Sequence, residues 1–378
     1  MTNPLQQLAE AGQSIWLDYM HRKLMETDEL KRLIAEDAVT GMTSNPSIFE
    51  KAIGEGGDYD DRIKAALAGG DAAPMQIYEQ VAIADIQAAA DQLTPVWDRT
   101  QGKDGYVSLE VSPYLAMDTD ETIHEAERLW KAVGRQNLMI KIPGTKPGVP
   151  AIAATIAKGI NVNVTLLFGL DAYLAVAEAH LEGLEQFKAK GGDLSKVHGV
   201  ASFFVSRIDT QIDKKIDERV AAGDAEAEAL KGLRGKVAIA NAKVAYQRYL
   251  EMLQTPRWQG LAGAGASPQR LLWASTGTKD PSFSDVLYVD TLIGPDTINT
   301  MPTKTLEAFK DHGLVRQTLT EDVDAARQVL ADQERLGLDL QGVTEKLVVD
   351  GVKSFSDSFD QLLGAVSSKR TQILGQAA

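Results

Sequence analysis

The sequence of 378 residues predicts an α/β fold in which eight parallel strands close into a (β/α)8 TIM barrel. Three observations favour this fold class. Short apolar or β-branched runs alternate with amphipathic stretches, which is typical of βα units around a parallel sheet. Eight such runs can be counted, enough for a closed barrel. Nearly every run has polar residues on one face at its carboxyl end or just after it. The carboxyl ends of the strands are where barrel enzymes have their active sites.

The elements can be justified in chain order. The predicted strands are SIWLD (14–18), VTGMTSN (39–45), YVSLEV (106–111), LMIKI (138–142), INVNVTLL (160–167), GVASFFV (199–205), RLLWAS (270–275) and DTINT (296–300). The segment after the third strand illustrates the helices: Asp118 or Thr119 can cap it, an apolar stripe runs from Ile123 to Val133, and Gly134 ends it.

Two further helical segments enlarge the barrel. One is an insertion at about 208–256, between strands six and seven, and the other is a C-terminal extension at about 311–378. The extension is too long for one barrel helix, so we expect it to pack on its own barrel or on a partner. Without a repeat or a low-complexity linker, residues 1–378 are predicted to form a single domain, and the chain to be a monomer or a homodimer.

Composition excludes several function classes. The 39 basic and 53 acidic residues give a net charge of -14, which would repel a phosphodiester backbone, so no nucleic-acid partner is expected. The absence of cysteine excludes disulfides and thiol nucleophiles and is compatible with a cytoplasmic location. No signal peptide or membrane span is predicted. The five histidines form no metal-binding pair, and we expect neither a metal nor a cofactor.

The segment LMIKIPGT (138–145) places Lys141 at the centre of an apolar strand. A lysine flanked by isoleucines in a strand is expected to be buried. Burial of an ammonium group lowers its pKa, which produces a nucleophilic amine. The alternative is a structural lysine that pairs with a buried carboxylate.

Other strands end in polar side chains that should meet Lys141 at the carboxyl mouth of the barrel. The expected neighbours are Asp18, Asn45, Glu110, Asn163 and Thr165. Each has an ordinary alternative, such as a helix cap or a turn, but together these alternatives are less plausible. One amine, two carboxylates and several neutral donors are what Schiff-base carbon–carbon chemistry requires.

A phosphate site is predicted beside them. The loop ASTGTKD (274–280) follows strand seven and contains Ser275 and Lys279, and Arg207 follows strand six. Barrel enzymes commonly bind phosphate after strands seven and eight. A short loop of this composition is also compatible with a simple turn.

These motifs resemble the transaldolase family, in its longer bacterial subfamily. The matching segments are WLDY (16–19), TSNPSIFEKAI (43–53), VSLEVSP (107–113), LMIKIPGT (138–145), NVNVTLLFG (161–169), ASFFVSRID (201–209) and TINTMPTKTLEAF (297–309). The resemblance implies transfer of a dihydroxyacetone unit between ketose and aldose phosphates of the pentose phosphate pathway, here sedoheptulose 7-phosphate or fructose 6-phosphate and glyceraldehyde 3-phosphate or erythrose 4-phosphate.

The resemblance also implies roles for single residues. Lys141 matches the Schiff-base lysine, Asp18 the acid/base at the C4 hydroxyl, and Glu110 with Thr165 the pair that holds a catalytic water. Substrate contacts are implied at Thr43, Asn45, Asn163, Ser202, Phe204, Arg207 and Ser275. Many relatives have an arginine two positions after the matching serine, where this chain has Gly277, and we expect Lys279 to supply that charge. The arginine that many relatives have shortly after the Glu110 position is also absent.

Two alternatives remain at this stage. A fructose-6-phosphate aldolase of the same superfamily would release free dihydroxyacetone, but such relatives are shorter and typically have glutamine at the Glu110 position and tyrosine at the Phe204 position. A non-catalytic sugar-phosphate-binding protein would use the C-terminal helices as its functional surface. That hypothesis leaves Lys141 and its two carboxylates unexplained.

Overall fold

The structure is a computed structural model that describes residues 3–54, 56–70 and 72–377. Its centre is a closed barrel of eight parallel strands in sequential order. The strands are β1 (Gln13–Asp18), β2 (Val39–Thr43), β3 (Tyr106–Glu110), β4 (Leu138–Pro143), β5 (Val162–Leu167), β6 (Gly199–Phe204), β7 (Arg270–Ala274) and β8 (Thr297–Met301). The predicted fold class and all eight predicted strands are therefore confirmed.

Two predicted strand bounds were wrong by two residues, and the others agree with the structure to within one residue. β2 ends at Thr43 and not at residue 45, because Asn45 uses its side-chain Oδ1 to accept a hydrogen bond from the Ile48 backbone N–H at the start of the next helix. β5 begins at Val162 and not at residue 160. The Asn161 side-chain amide donates to two backbone carbonyl oxygens, one just before β4 and one at the start of β4.

Helices surround the barrel and fill the segments between strands. They are α1 (Pro4–Glu10), α2 (Arg22–Glu26), α3 (Glu29–Glu36), α4 (Pro46–Gly54), α5 (Asp60–Leu67), α6 (Pro74–Arg99), α7 (Thr119–Val133), α8 (Gly148–Ile156), α9 (Leu170–Ala189), α10 (Ser206–Ala221), α11 (Ala227–Lys231), α12 (Val237–Leu253), α13 (Pro256–Ala262), α14 (Leu287–Asp290), α15 (Thr303–His312), α16 (Val323–Arg335) and α17 (Leu340–Ala377). Short 3-10 turns lie at Pro113–Leu115, Leu194–Lys196 and Thr318–Thr320. No helix in the described ranges is both long and apolar enough to cross a membrane.

The amino end of the barrel is filled by large side chains. Trp16 is fully buried and donates from its indole Nε1 to Asp104 Oδ1 at 2.6 Å. The Arg270 guanidinium lies 3.6 Å from the other Asp104 oxygen and donates to the Thr297 carbonyl. Gly41 leaves the room for this packing, since a Cβ there would lie 2.5 Å from the Trp16 ring. These side chains close the amino end of the barrel.

The C-terminal extension covers the carboxyl end of the same chain's barrel. α17 is a helix of 38 residues that contacts α4, α5, α6, α10 and β5. Ser47 Oγ in α4 donates to Ser358 Oγ in α17 at 2.7 Å, and Lys369 Nζ lies 2.8 Å from Asp60 Oδ1 in α5. Of the two expectations for the extension, packing on its own barrel is the one observed.

Candidate active site

Strand pairing places Lys141 among the polar residues that the sequence assigned to the barrel mouth. In the parallel register, Lys141 is paired with Glu110 on β3 and with Asn163 on β5. The Lys141 Nζ lies 3.4 Å from Glu110 Oε2 and donates to the Ser44 carbonyl oxygen at 3.1 Å. Lys141 is only 5% exposed. The amine is thus buried beside one carboxylate.

Glu110 is a buried carboxyl group with unused hydrogen-bonding capacity. Neither carboxyl oxygen accepts a hydrogen bond from the described residues. Burial raises the pKa of Glu110, and the nearby Lys141 charge opposes that rise. A carboxyl group in this setting can exchange a proton with a water or a substrate that enters the pocket.

A small cavity of about 20 Å³ lies next to Glu110, between β3 and helices α6, α7 and α17. Its lining includes Tyr78, Leu109, Glu110 and Ser112. A cavity of this size has room for about one water molecule beside Glu110.

Asp18 lies at the end of β1 and faces the same centre. Thr43 Oγ1 donates to Asp18 Oδ1 at 2.6 Å, and the Thr43 and Thr300 hydroxyl oxygens lie 2.8 Å apart. Because the single Thr43 hydroxyl proton is used on Asp18, Thr300 must be the donor to Thr43. Burial raises the pKa of Asp18, while Lys141, the Thr43 hydrogen bond and Arg207 each lower it. Thr300 was missed in the sequence, although strand alternation in β8 could have indicated it.

A chain of side-chain hydrogen bonds lines the wall next to Lys141. Ser202 Oγ donates to Asn163 Oδ1 at 2.7 Å, and Asn163 Nδ2 donates to Ser108 Oγ at 2.9 Å. These bonds hold the Asn163 amide between two hydroxyl groups. The wall therefore presents oriented hydroxyl and amide groups, which suit a polyhydroxylated ligand.

Thr165 is positioned by an irregularity in β5. The pairing of β5 with β6 shifts between Val164 and Leu167, and Leu166 has a positive φ of 60°. This left-handed conformation is costly for leucine and is typical of bulges beside active sites. The buried Thr165 Oγ1 makes no hydrogen bond with any described residue, so its hydroxyl is available to a bound molecule.

A positively charged edge lies on the β6–β7 side of the mouth. The Arg207 guanidinium carbon is 5.3 Å from the centre of the Phe204 ring, and Arg207 follows the first residue of α10. Ser275 adopts a positive φ of 56° and its Oγ lies 3.0 Å from Ser206 Oγ. Backbone N–H groups at the start of the 16-residue α10 add partial positive charge at this edge.

Lys279 bends back toward Gly277. A Cβ built on Gly277 would lie 3.7 Å from Lys279 Nζ, so the lysine ammonium occupies the space next to the missing side chain. The loop is supported from behind by a 2.8 Å hydrogen bond from Thr276 Oγ1 to Asn299 Oδ1. The sequence did not indicate a role for Asn299, because Asn299 lies in β8 and its partner Thr276 lies in the loop after β7.

One aromatic residue at the mouth comes from the C-terminal extension. The ring centre of Phe355 in α17 lies 5.8 Å from Lys141 Nζ, and Phe355 is 5% exposed. The sequence offered no signal for it, because its position depends on where α17 crosses the barrel. Asn45, by contrast, was expected at the mouth and lies at the start of α4, half-buried.

Comparisons with known proteins agree with this geometry. The profile of the family described as Transaldolase/Fructose-6-phosphate aldolase matches residues 15–366. A protein named Transaldolase from Parafrankia sp. (strain EAN1pec) is 50% identical over 380 residues and 100% of both chains. Proteins of the same name from Trichodesmium erythraeum (strain IMS101) and Thermobifida fusca (strain YX) are 45% and 48% identical, each over 98% of this chain and 98% and 99% of the relatives.

Proposed function

The chain belongs to the transaldolase/fructose-6-phosphate aldolase family and functions as a transaldolase, and from this premise we propose which residues carry out the transfer. The observation that carries the proposal is the buried pair of Lys141 Nζ and Glu110 Oε2 at 3.4 Å, with Asp18 facing the same centre. It supports Schiff-base chemistry because an amine nucleophile and two separate carboxyl groups converge there.

In the first half-reaction the neutral Lys141 amine attacks the C2 carbonyl of the ketose phosphate. Proton transfer to the resulting carbinolamine hydroxyl allows water to leave and the iminium to form. Glu110 is proposed to move these protons through a water held by its carboxyl group and the Thr165 hydroxyl, whose oxygens make no hydrogen bond with the described residues. Burial raises the pKa of Glu110 above its usual range, which favours a group that both gives and takes a proton.

Asp18 is the proposed base for carbon–carbon cleavage. It removes the proton from the C4 hydroxyl, the C3–C4 bond breaks, and its electrons enter the iminium to give an enamine on Lys141. The aldose phosphate leaves and a second aldose phosphate enters. The same steps in reverse form a new C–C bond, and hydrolysis of the imine releases the new ketose phosphate. Thr43 orients Asp18 through its 2.6 Å hydrogen bond.

The remaining site residues are proposed to bind the substrate. Asn45, Asn163 and Ser202 present amide and hydroxyl groups to the dihydroxyacetone portion, while Phe204 forms part of the wall. Arg207, Ser275 and Lys279 bind the phosphate. The position of Lys279 Nζ, 3.7 Å from a Cβ built on Gly277, supports its proposed role as a substitute for the arginine of many relatives.

Transfer is favoured over release of free dihydroxyacetone by two residues. Glu110 and Phe204 stand where the resemblance places glutamine and tyrosine in fructose-6-phosphate aldolases. We further propose that the enzyme acts in the cytoplasm as a monomer or homodimer, without metal or cofactor. Its net charge of -14 disfavours a nucleic-acid partner.

Turnover by a lysine variant tests the proposal. Lys141→Arg should retain the fold and lose transfer from fructose 6-phosphate to erythrose 4-phosphate, because arginine stays protonated and cannot form the imine. Lys243→Arg is the matched control, since Lys243 is also buried but donates to the Glu321 carbonyl outside the mouth. Wild-type turnover by Lys141→Arg would contradict the proposal.

A further inference from the structure

The C-terminal helix α17 brings an aromatic residue over the proposed nucleophile. Phe355 is the residue of α17 whose ring contacts the Lys141 ammonium, with 5.8 Å between Nζ and the ring centre. It is also buried, so its ring covers one side of the Lys141 amine. Nothing in the chemistry described above requires this residue.

The backbone is arranged so that Phe355 can reach this position. Gly351 lies one helical turn before Phe355, and residues four apart share a helix face. A Cβ at Gly351 would lie 2.8 Å from a Leu166 methyl group, which is closer than side-chain atoms normally pack. Leu166 is the residue with positive φ that follows Thr165. The glycine and the bulge together let α17 lie close against the mouth.

The enamine on Lys141 is the species that this ring would protect. Between departure of the first aldose phosphate and arrival of the second, the enamine carbon can take a proton to give the iminium. Water can then add to the iminium carbon, the C–N bond breaks, and free dihydroxyacetone leaves the regenerated Lys141 amine. This side reaction needs only a proton and a water molecule, whereas transfer needs an aldehyde.

We propose that Phe355 is a positioning residue that shields Lys141 from bulk water, apart from the water held by Glu110 and Thr165, and thereby sets the ratio of dihydroxyacetone transferred to dihydroxyacetone released. Closing a site against water is a general means of preventing hydrolysis of a reactive intermediate. The proposal rests on the assignment of Lys141 as the Schiff-base lysine. It assigns to α17 a function in choosing between two outcomes of one reaction.

The test measures the two products from the same incubation. Fructose 6-phosphate is supplied with limiting erythrose 4-phosphate, and sedoheptulose 7-phosphate and free dihydroxyacetone are both quantified. Phe355→Ala should raise the ratio of release to transfer by about tenfold or more, since water gains access to the intermediate. Gly351→Leu should raise the same ratio, because its side chain meets the buried Leu166 and disturbs the packing of α17 on β5 while Phe355 itself is unchanged.

Gly364→Leu is the matched control on the same helix. A Cβ at Gly364 meets no atom within 4 Å, so this substitution adds the same side chain without displacing α17 and should leave the ratio at its wild-type value. If Phe355→Ala does not fold, the ratio of release to transfer can still be compared between Gly351→Leu and Gly364→Leu. That comparison tests the role of α17 by itself. An unchanged ratio in a folded Gly351→Leu protein overturns the inference about α17.

Borohydride trapping of each variant separates this outcome from failure of the underlying assignment. If Lys141 carries the reduced three-carbon adduct while the ratio stays unchanged, only the role of Phe355 is wrong. If no adduct forms on Lys141 even in the wild type, the proposed mechanism is wrong and the role of Phe355 is overturned with it.

Discussion

Substitution of Arg207 and Lys279 tests how an acidic protein binds a dianionic sugar. The chain has a net charge of -14, so phosphate recognition must come from a local positive edge. Arg207 is partly buried and packs on Phe204 at 5.3 Å, whereas Lys279 is exposed. Both substitutions should therefore weaken the use of phosphorylated substrates, with the larger effect at Arg207.

The magnitudes follow from the two environments. A hydrogen bond to a charged group contributes about 1.5–3 kcal/mol, so Arg207→Ala should lower kcat/KM for fructose 6-phosphate by about 10- to 150-fold. Solvent screens Lys279, and exposed ion pairs contribute about 0.2–1 kcal/mol, so Lys279→Ala should lower kcat/KM by only about 1.5- to 5-fold. Cleavage of unphosphorylated fructose should hardly change in either variant.

The assay compares both sugars with each protein. Lys196→Ala removes the same charge just before β6, at the amino end of the barrel, and should change neither rate. Gly277→Arg in the Lys279→Ala background should restore activity, because Lys279 Nζ occupies the space that a side chain at position 277 would enter. An equal loss on fructose and fructose 6-phosphate would refute phosphate binding and indicate a structural role.

Three further predictions concern the buried carboxyl groups. Asp18→Ala should still form the imine but slow C–C cleavage by about 10²–10⁴-fold, so trapping should capture the six-carbon ketose; capture of only the three-carbon adduct at normal rates would exclude Asp18 as the base. Glu110→Gln should slow imine formation and hydrolysis, measured by loss of ¹⁸O from the C2 carbonyl, and an unchanged exchange rate would contradict its role. Burial raises the pKa of Asp209 from 3.8 to about 7, so the folded state binds the proton more tightly and its stability falls as pH rises between these values. Urea unfolding should therefore show Asp209→Asn gaining up to about 4 kcal/mol relative to wild type across that range, and a constant difference would contradict it.

The barrel and much of its mouth could be predicted from sequence because strand alternation is a local property. Once Lys141 and Glu110 are assigned to the inward faces of neighbouring strands, parallel pairing brings them together without further information. The same reasoning placed Asp18 and Asn163 at the mouth. These predictions depend on the alternation of side chains between the two faces of a strand and on closure of the eight strands into a barrel. Both can be inferred from the sequence pattern.

Other features depend on contacts between distant segments. Phe355 is 214 positions after Lys141 in the numbering, and its place over the amine follows from how α17 packs on α4 and β5. The positive φ of Leu166 arises from a shift in the pairing of β5 with β6, which no residue type at that position indicates. Thr276 and Asn299 likewise become partners only through the fold.

The most direct test of the central claim is the site of covalent trapping. The described part of the chain contains two buried lysines, Lys141 and Lys243, and burial lowers the pKa of Lys243. Incubation with fructose 6-phosphate, reduction with borohydride and peptide mass mapping would identify the modified residue. The mechanism predicts one reduced dihydroxyacetone adduct per chain, located on Lys141 and absent from Lys141→Arg. An adduct on Lys243, or a protein of unchanged mass, would contradict it.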